Sequence, residues 1–305
     1  MTTLEILAES HTHSVSDHVH HFEMGSWLLI LAYIVSVAGS VVGLACTRRS
    51  ADAEVQRDRL RWLAMAAVAI GGVAIWLMHF IAMLGFAVPG SVIRYNLGWT
   101  FASAVLSIGA TFLGLVVVGR TVNVPRLLVG GVIMGLAVNL MHYTGMWALQ
   151  LQGEISYNKV YVGLSIAIAV VAATVALWFT LVLESLWLRF VAGLVMGVAV
   201  VGMHFTGMAA VSVEVDQSAP IPGGLEVFTF LFPVFVVGLL ALAVPITAVL
   251  MAPDRGAIDL EAEADRLVVE LANARRGEAG AIGSGIGASP QNGSARTAPS
   301  ARTSV

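Results

Sequence analysis

The chain has 305 residues, of which 58% are hydrophobic and only 11% charged, with a mean hydropathy of +0.86. Soluble domains carry about a quarter charged residues, so a water-soluble fold is excluded and a lipid solvent is expected. The net charge of -3 carries little information, because in a membrane protein the distribution of basic residues between loops sets the orientation.

Residues 1–25 lack the basic start and apolar core of a cleaved signal peptide and read as a retained external segment. It holds His11, His13, His18, His20 and His21, whose irregular spacing is a weak metal signal and fits a solvated, pH-sensitive segment equally well. Apolar runs long enough to cross about 30 Å of hydrocarbon then follow at 26–47, 62–86, 97–119, 126–150, 161–183, 187–211 and 226–251. They show no ten-residue alternation of a membrane β-barrel, and a lipid-exposed backbone must satisfy its own hydrogen bonds. The expected fold class is therefore all-α, a polytopic protein with seven transmembrane helices over 26–251.

Arg48, Arg49, Arg57, Arg59 and Arg61 fall in the first loop, Arg120 and Arg126 in the third and Arg189 in the fifth. The second and fourth loops have only Arg94 and Lys159. The positive-inside rule then puts the N-terminus outside and the C-terminus in the cytoplasm. Trp27, Trp99 and Trp147 near outer ends and Trp62 and Trp187 near inner ends read as an interfacial aromatic belt. Cys46 stands alone and reads as a small buried residue. Residues 252–276 carry helical spacing of Leu260, Leu267, Val268 and Leu271 and are expected to form a short cytoplasmic helix. The Gly, Ser, Ala and Pro content of 277–305 predicts a disordered tail.

An offset of about 63 residues superposes three segments, the signature of an internal repeat. The second helix has Gly72 and then Met78-His79-Phe80-Ile81-Ala82-Met83. The fourth has Gly135 and then Met141-His142-Tyr143-Thr144-Gly145-Met146, and the sixth has Gly197 and then Met203-His204-Phe205-Thr206-Gly207-Met208. Each repeat is a pair of helices, so the three copies cross the membrane in the same direction, with the seventh helix outside the pattern. A lone histidine near a helix end is usually a packed residue bonded to a carbonyl, but recurrence at one register points to a shared task.

Each histidine shares a helix face with the methionine four residues on, with β-carbons about 6 Å apart. His79 with Met83, His142 with Met146 and His204 with Met208 are the first candidate metal ligands. Met78, Met141 and Met203 point about 100° away and are second-choice ligands. Gly72, Gly135 and Gly197 are expected to let helices approach closely. Imidazole and thioether together suit copper, Cu(I) above all, better than oxygen-seeking cations. Haem competes, since His and Met are its familiar axial pair. Asn139 reads as interhelical glue, with unlike residues, Trp76 and Val201, at its counterparts.

The three Met-His copies resemble the bacterial MHYT sensor domain over residues 25–250, in number, spacing, outward position and helix count. The middle copy spells the motif in full; the first departs from it with Ile81. The resemblance implies a sensory module of the bacterial plasma membrane that binds copper through its Met and His residues and responds to O2, CO or NO. Such modules often precede a cytoplasmic output domain. About fifty residues follow the last helix, fewer than a catalytic domain needs, so a separate cytoplasmic signalling partner is expected. Copper transport and a haem-binding electron carrier are the rival functions; Met65, Met134 and Met196 keep the first open. No Ser-His-acid set or phosphate loop points to an enzyme. The excess of Arg over Lys reads as a GC-rich genome, not as nucleic-acid binding.

Overall fold

A computed structural model describes residues 23–252 and 263–273. The N-terminal histidines, read as a weak metal signal or a solvated segment, and the tail from 277 onward, expected to be disordered, lie outside the described residues. Residues 263–273 are helical and form part of a separate compact unit.

Among the described residues, seven helices are long and apolar enough to cross a membrane. They are α1 (Trp27–Asp52), α2 (Gln56–Met83), α3 (Leu97–Val118), α4 (Val124–Ala148), α5 (Lys159–Val182), α6 (Leu186–Met208) and α7 (Val227–Met251). The starts follow ordinary capping chemistry. Asn96, Asn123, Asn158 and Ser185 accept hydrogen bonds from the first-turn amides of α3 to α6, satisfying donors that a helix start leaves unpaired. Neighbours in sequence are neighbours in space from α1 to α6, and α1 closes the arrangement by packing on α6. α7 lies against α2 and α1, so closely that a Cβ on Gly238 would stand 2.4 Å from Leu77.

α2 is the most buried span, and its middle is irregular. Val68–Leu77 is a π-helical run that ends where Met78-His79 begins. The Ser107 hydroxyl of α3 donates 2.7 Å to the Gly71 carbonyl within it. π segments are rare and concentrate at functional sites.

The all-α reading holds, with one addition: short strands at the histidine end. They are β1 (Arg94–Tyr95), β2 (Leu149–Gln150), β3 (Gly153–Tyr157), β4 (Val211–Val215) and β5 (Leu225–Glu226). β1 pairs with β2 and with β5, and β3 pairs with β4, all antiparallel. Because β2 and β3 share the loop after α4, and β4 and β5 the loop after α6, the three loops form a closed ring. Equivalent bonds extend it, Asn96 donating its amide to the Ala148 carbonyl and Asn158 to that of Ala210, both at 2.8 Å. The sequence reading missed these strands because two- to five-residue segments lack a usable alternation.

Candidate metal centre

His79 on α2, His142 on α4 and His204 on α6 are 1%, 0% and 1% exposed and meet in one place. Nδ1 of His79 lies 3.0 Å from Nδ1 of His204 and 3.3 Å from Nδ1 of His142. The rings stand edge to face, with centroids 5.0, 5.0 and 5.2 Å apart. Residues separated by 63 and 125 positions thus aim the same atom at a common point.

An imidazole nitrogen offers one in-plane position, a proton or a lone pair. His79 Nδ1 therefore cannot bond well to both neighbours, whatever the tautomers. A cation at the common point takes a lone pair from each ring, and bonds of about 2.0–2.1 Å to three nitrogens require those nitrogens to stand about 3.3–3.6 Å apart. The two separations from His79 are close to that size and ligand nitrogens of all three rings lie within 4.8 Å of one another, so the residues fit one ion held by three histidines.

The opposite ring edges are set by glycines. A Cβ on Gly145 of α4 would be 2.4 Å from His79 Nε2, and one on Gly207 of α6 would be 2.5 Å from His142 Nε2. His79 and His142 thus each rest on the glycine three residues after the next repeat's histidine. Neither Nε2 has a hydrogen-bond partner, an expensive state for a buried polar atom. The corresponding residue of the first repeat is Ala82, also buried, so the pseudo-threefold is imperfect. These glycines stand inside the motif, and their recurrence was the available signal for a role the sequence reading did not assign.

The methionines divide. Met83, Met146 and Met208 are fully buried in one apolar cluster with Phe80, Tyr95 and Phe230, which joins the motif ends to the strand ring. Tyr95 stacks on Phe230 at 5.2 Å, and burial pushes its phenol pKa up. Met78 packs in a second cluster with Leu28 and Leu242, whereas Met141 and Met203 fall in a third with Met134 and Met196. The motif threonines face their own helices: Thr144 donates to the Leu140 carbonyl and Thr206 to that of Gly202.

Two sequence expectations need revision. Gly135 and Gly197 do permit close approach, but to Val170 of α5 and to Val37 and Tyr33 of α1, not to other motif helices. In α2 the tight position is Gly71, whose Cβ would be 2.7 Å from the Ser107 carbonyl, whereas Gly72 has only ordinary contacts; the π run shifts the register. Asn139 donates 3.0 Å to Ser165 of α5, as interhelical glue should. Its counterpart Trp76 is not unlike it in role, for its indole donates 3.0 Å to Ser103 of α3.

The model of the MHYT family, described as "Bacterial signalling protein N terminal repeat", matches residues 72–131, 135–193 and 197–255. It frames each repeat from the end of a motif helix through the following helix, which brings α7 into the third repeat. The chain is 40% identical over 190 residues, 60% of its length, to the bifunctional diguanylate cyclase/cyclic di-GMP phosphodiesterase MucR of Pseudomonas aeruginosa, covering 27% of that protein. An uncharacterized signaling protein of Caulobacter vibrioides is 32% identical over 81% of the chain and 30% of that protein. The signaling protein YkoW of Bacillus subtilis is 30% identical over 71% of the chain and 27% of that protein. The chain thus spans less than a third of the length of these curated relatives. No solved structure matches it. With three matched repeats, each delivering one histidine to a common buried point, the chain belongs to the MHYT family of multi-pass bacterial membrane proteins.

Proposed function

We propose that this domain is a membrane sensor, not an enzyme, in which His79, His142 and His204 hold a metal ion, copper first. The observation that carries the reading is the convergence of three buried Nδ1 atoms from separate spans. Three imidazoles alone suit zinc, copper, iron or nickel; the thioethers of Met83, Met146 and Met208, one turn further on, favour copper among them. Met78, Met141 and Met203 remain the second choice. Haem is the weaker alternative, because ring centroids 5.0–5.2 Å apart leave no gap for a macrocycle between the histidines.

A bound copper ion would supply an open coordination position for a diatomic ligand such as O2, CO or NO. The surroundings suit an uncharged gas. An apolar cavity of about 30 Å³ is lined by Ile75, Met134, Val138, Val200 and Met203, the last adjacent to His204 in sequence. It shares Ala172, Met196 and Ala199 with an apolar groove along α5 and α6, offering a path from the hydrocarbon, where such gases dissolve. Transport of copper would instead need further ligand steps, and the described lining of this cavity provides only Met134, Met196 and Met203.

Positive-inside orientation places the histidine end outside and the arginine-rich end in the cytoplasm, where a signalling partner, as a separate protein or further domain, would respond. A shift in ligation would act on α2, α4 and α6 together, the bistable element that switching requires. Elemental analysis and optical spectra of the purified chain, beside a variant with all three histidines changed to Ala, test this reading. Stoichiometric metal in the parent alone supports it; equal metal in both refutes it.

A further inference from the structure

At the end of the bundle opposite the histidines, a cavity of about 40 Å³ lies between α1, α2, α3 and α5. Its polar lining is Thr47, Arg48, Ser50, Arg59, Arg120 and Thr180, and it contains no carboxylate. Leu63, Leu115 and Val118 close the floor.

The cations there are unequally neutralised. Arg48 pairs with Asp52 at 3.3 Å. Arg120 is fixed by donating 2.8 Å to the Ala53 carbonyl, and Gly119, at φ +80°, makes the turn that brings it back over the bundle end. Arg59 is 8% exposed and forms no ion pair among the described residues, while the charge of Arg120 acts against it. A guanidinium taken out of water without a counter-charge is costly, and two side by side compound that cost. In this measure a single water needs about 10–15 Å³, so the cavity has room for about three water-sized groups, the free oxygens of one phosphate. Arginine forks match phosphate oxygens bidentately.

We infer that this cavity is an anion site that takes a phosphate group through Arg59 and Arg120, with Arg48 at its mouth. The phosphate comes either from an anionic lipid headgroup, since the cavity lies at the end of membrane-crossing helices, or from a soluble phosphate compound. The site pins α1, α2, α3 and α5 to one another at the end remote from the histidines. Occupancy would therefore act on α2, the one helix this cavity shares with the histidine centre.

The experiment follows thermal unfolding of the full chain in non-ionic detergent with increasing inorganic phosphate. In parallel, it is done in nanodiscs of phosphatidylglycerol or of phosphatidylcholine. Stabilisation by phosphate identifies a soluble source; stabilisation by phosphatidylglycerol alone identifies the lipid. Either result supports the site if Arg59→Gln weakens the response about tenfold or more, as loss of a charge-assisted contact should, and exposed Arg61→Gln does not. Should Arg59→Gln fail to fold, Thr180→Asp serves instead: its built-in carboxylate should raise thermal stability while abolishing the response. No stabilisation by either source, or a response unchanged in Arg59→Gln or Thr180→Asp, overturns the inference.

Discussion

The glycine behind each imidazole can be tested by adding one carbon. In Gly145→Ala the new Cβ would stand 2.4 Å from His79 Nε2, against the 3.4 Å at which ordinary contact begins. The ring must therefore retreat by about 1 Å, because the alternative is to move the α4 backbone. Retreat drives Nδ1 toward His142 and His204, which already stand at 3.3 and 3.0 Å, so the triangle cannot keep its shape. Overpacking of a tight interior costs about 1–3 kcal/mol, and displaced ligands lose metal affinity about 10–100-fold or more. The expected outcome is a lower unfolding midpoint together with less bound metal than the parent after dialysis, measured by elemental analysis. Ala82→Gly, at the corresponding place in the first repeat, supplies the contrast. It should cost about 1 kcal/mol of helix propensity and leave the metal content unchanged. Full metal occupancy in Gly145→Ala would refute the claim that this glycine holds His79 in place.

Further outcomes follow from the same geometry. Ser107→Ala removes the donor to the Gly71 carbonyl in the π run and should cost about 0.6–1.7 kcal/mol, the range for hydrogen bonds between membrane helices, read as reversible unfolding in detergent. Trp76→Phe and Asn139→Leu each remove one bond to a serine on the next helix. They share no partner, so their effects should add within about 0.5 kcal/mol; strong coupling would contradict two separate clasps. Ala199→Trp adds bulk at a residue that lines both the groove and the inner cavity and should slow gas-induced spectral change without altering metal content. Burial and the nearby Tyr143 push the Tyr157 phenol up to about 12. The unfolded chain ionises there from about pH 10, so this contribution to stability is complete below pH 10 and disappears as pH rises to 12. Tyr157→Phe should flatten that part of the profile of thermal unfolding against pH.

The sequence alone determined the solvent, the helix count and the repeat, because all three are written in composition and local spacing. A run of about 20 apolar residues has only one stable form in hydrocarbon, and Met-His at a fixed register in α2, α4 and α6 is visible without coordinates. Tertiary structure decided which atoms meet. Whether His79, His142 and His204 turn toward one another or toward separate neighbours depends on how three helices are rotated, and rotation follows from contacts across the bundle. Gly71 in place of Gly72 at a tight crossing, Trp76 acting as Asn139 does, and three loops zipped into one ring all depend on partners 26 or more residues away. Periodicity along a chain reports the face a residue occupies; it does not report which face lies opposite.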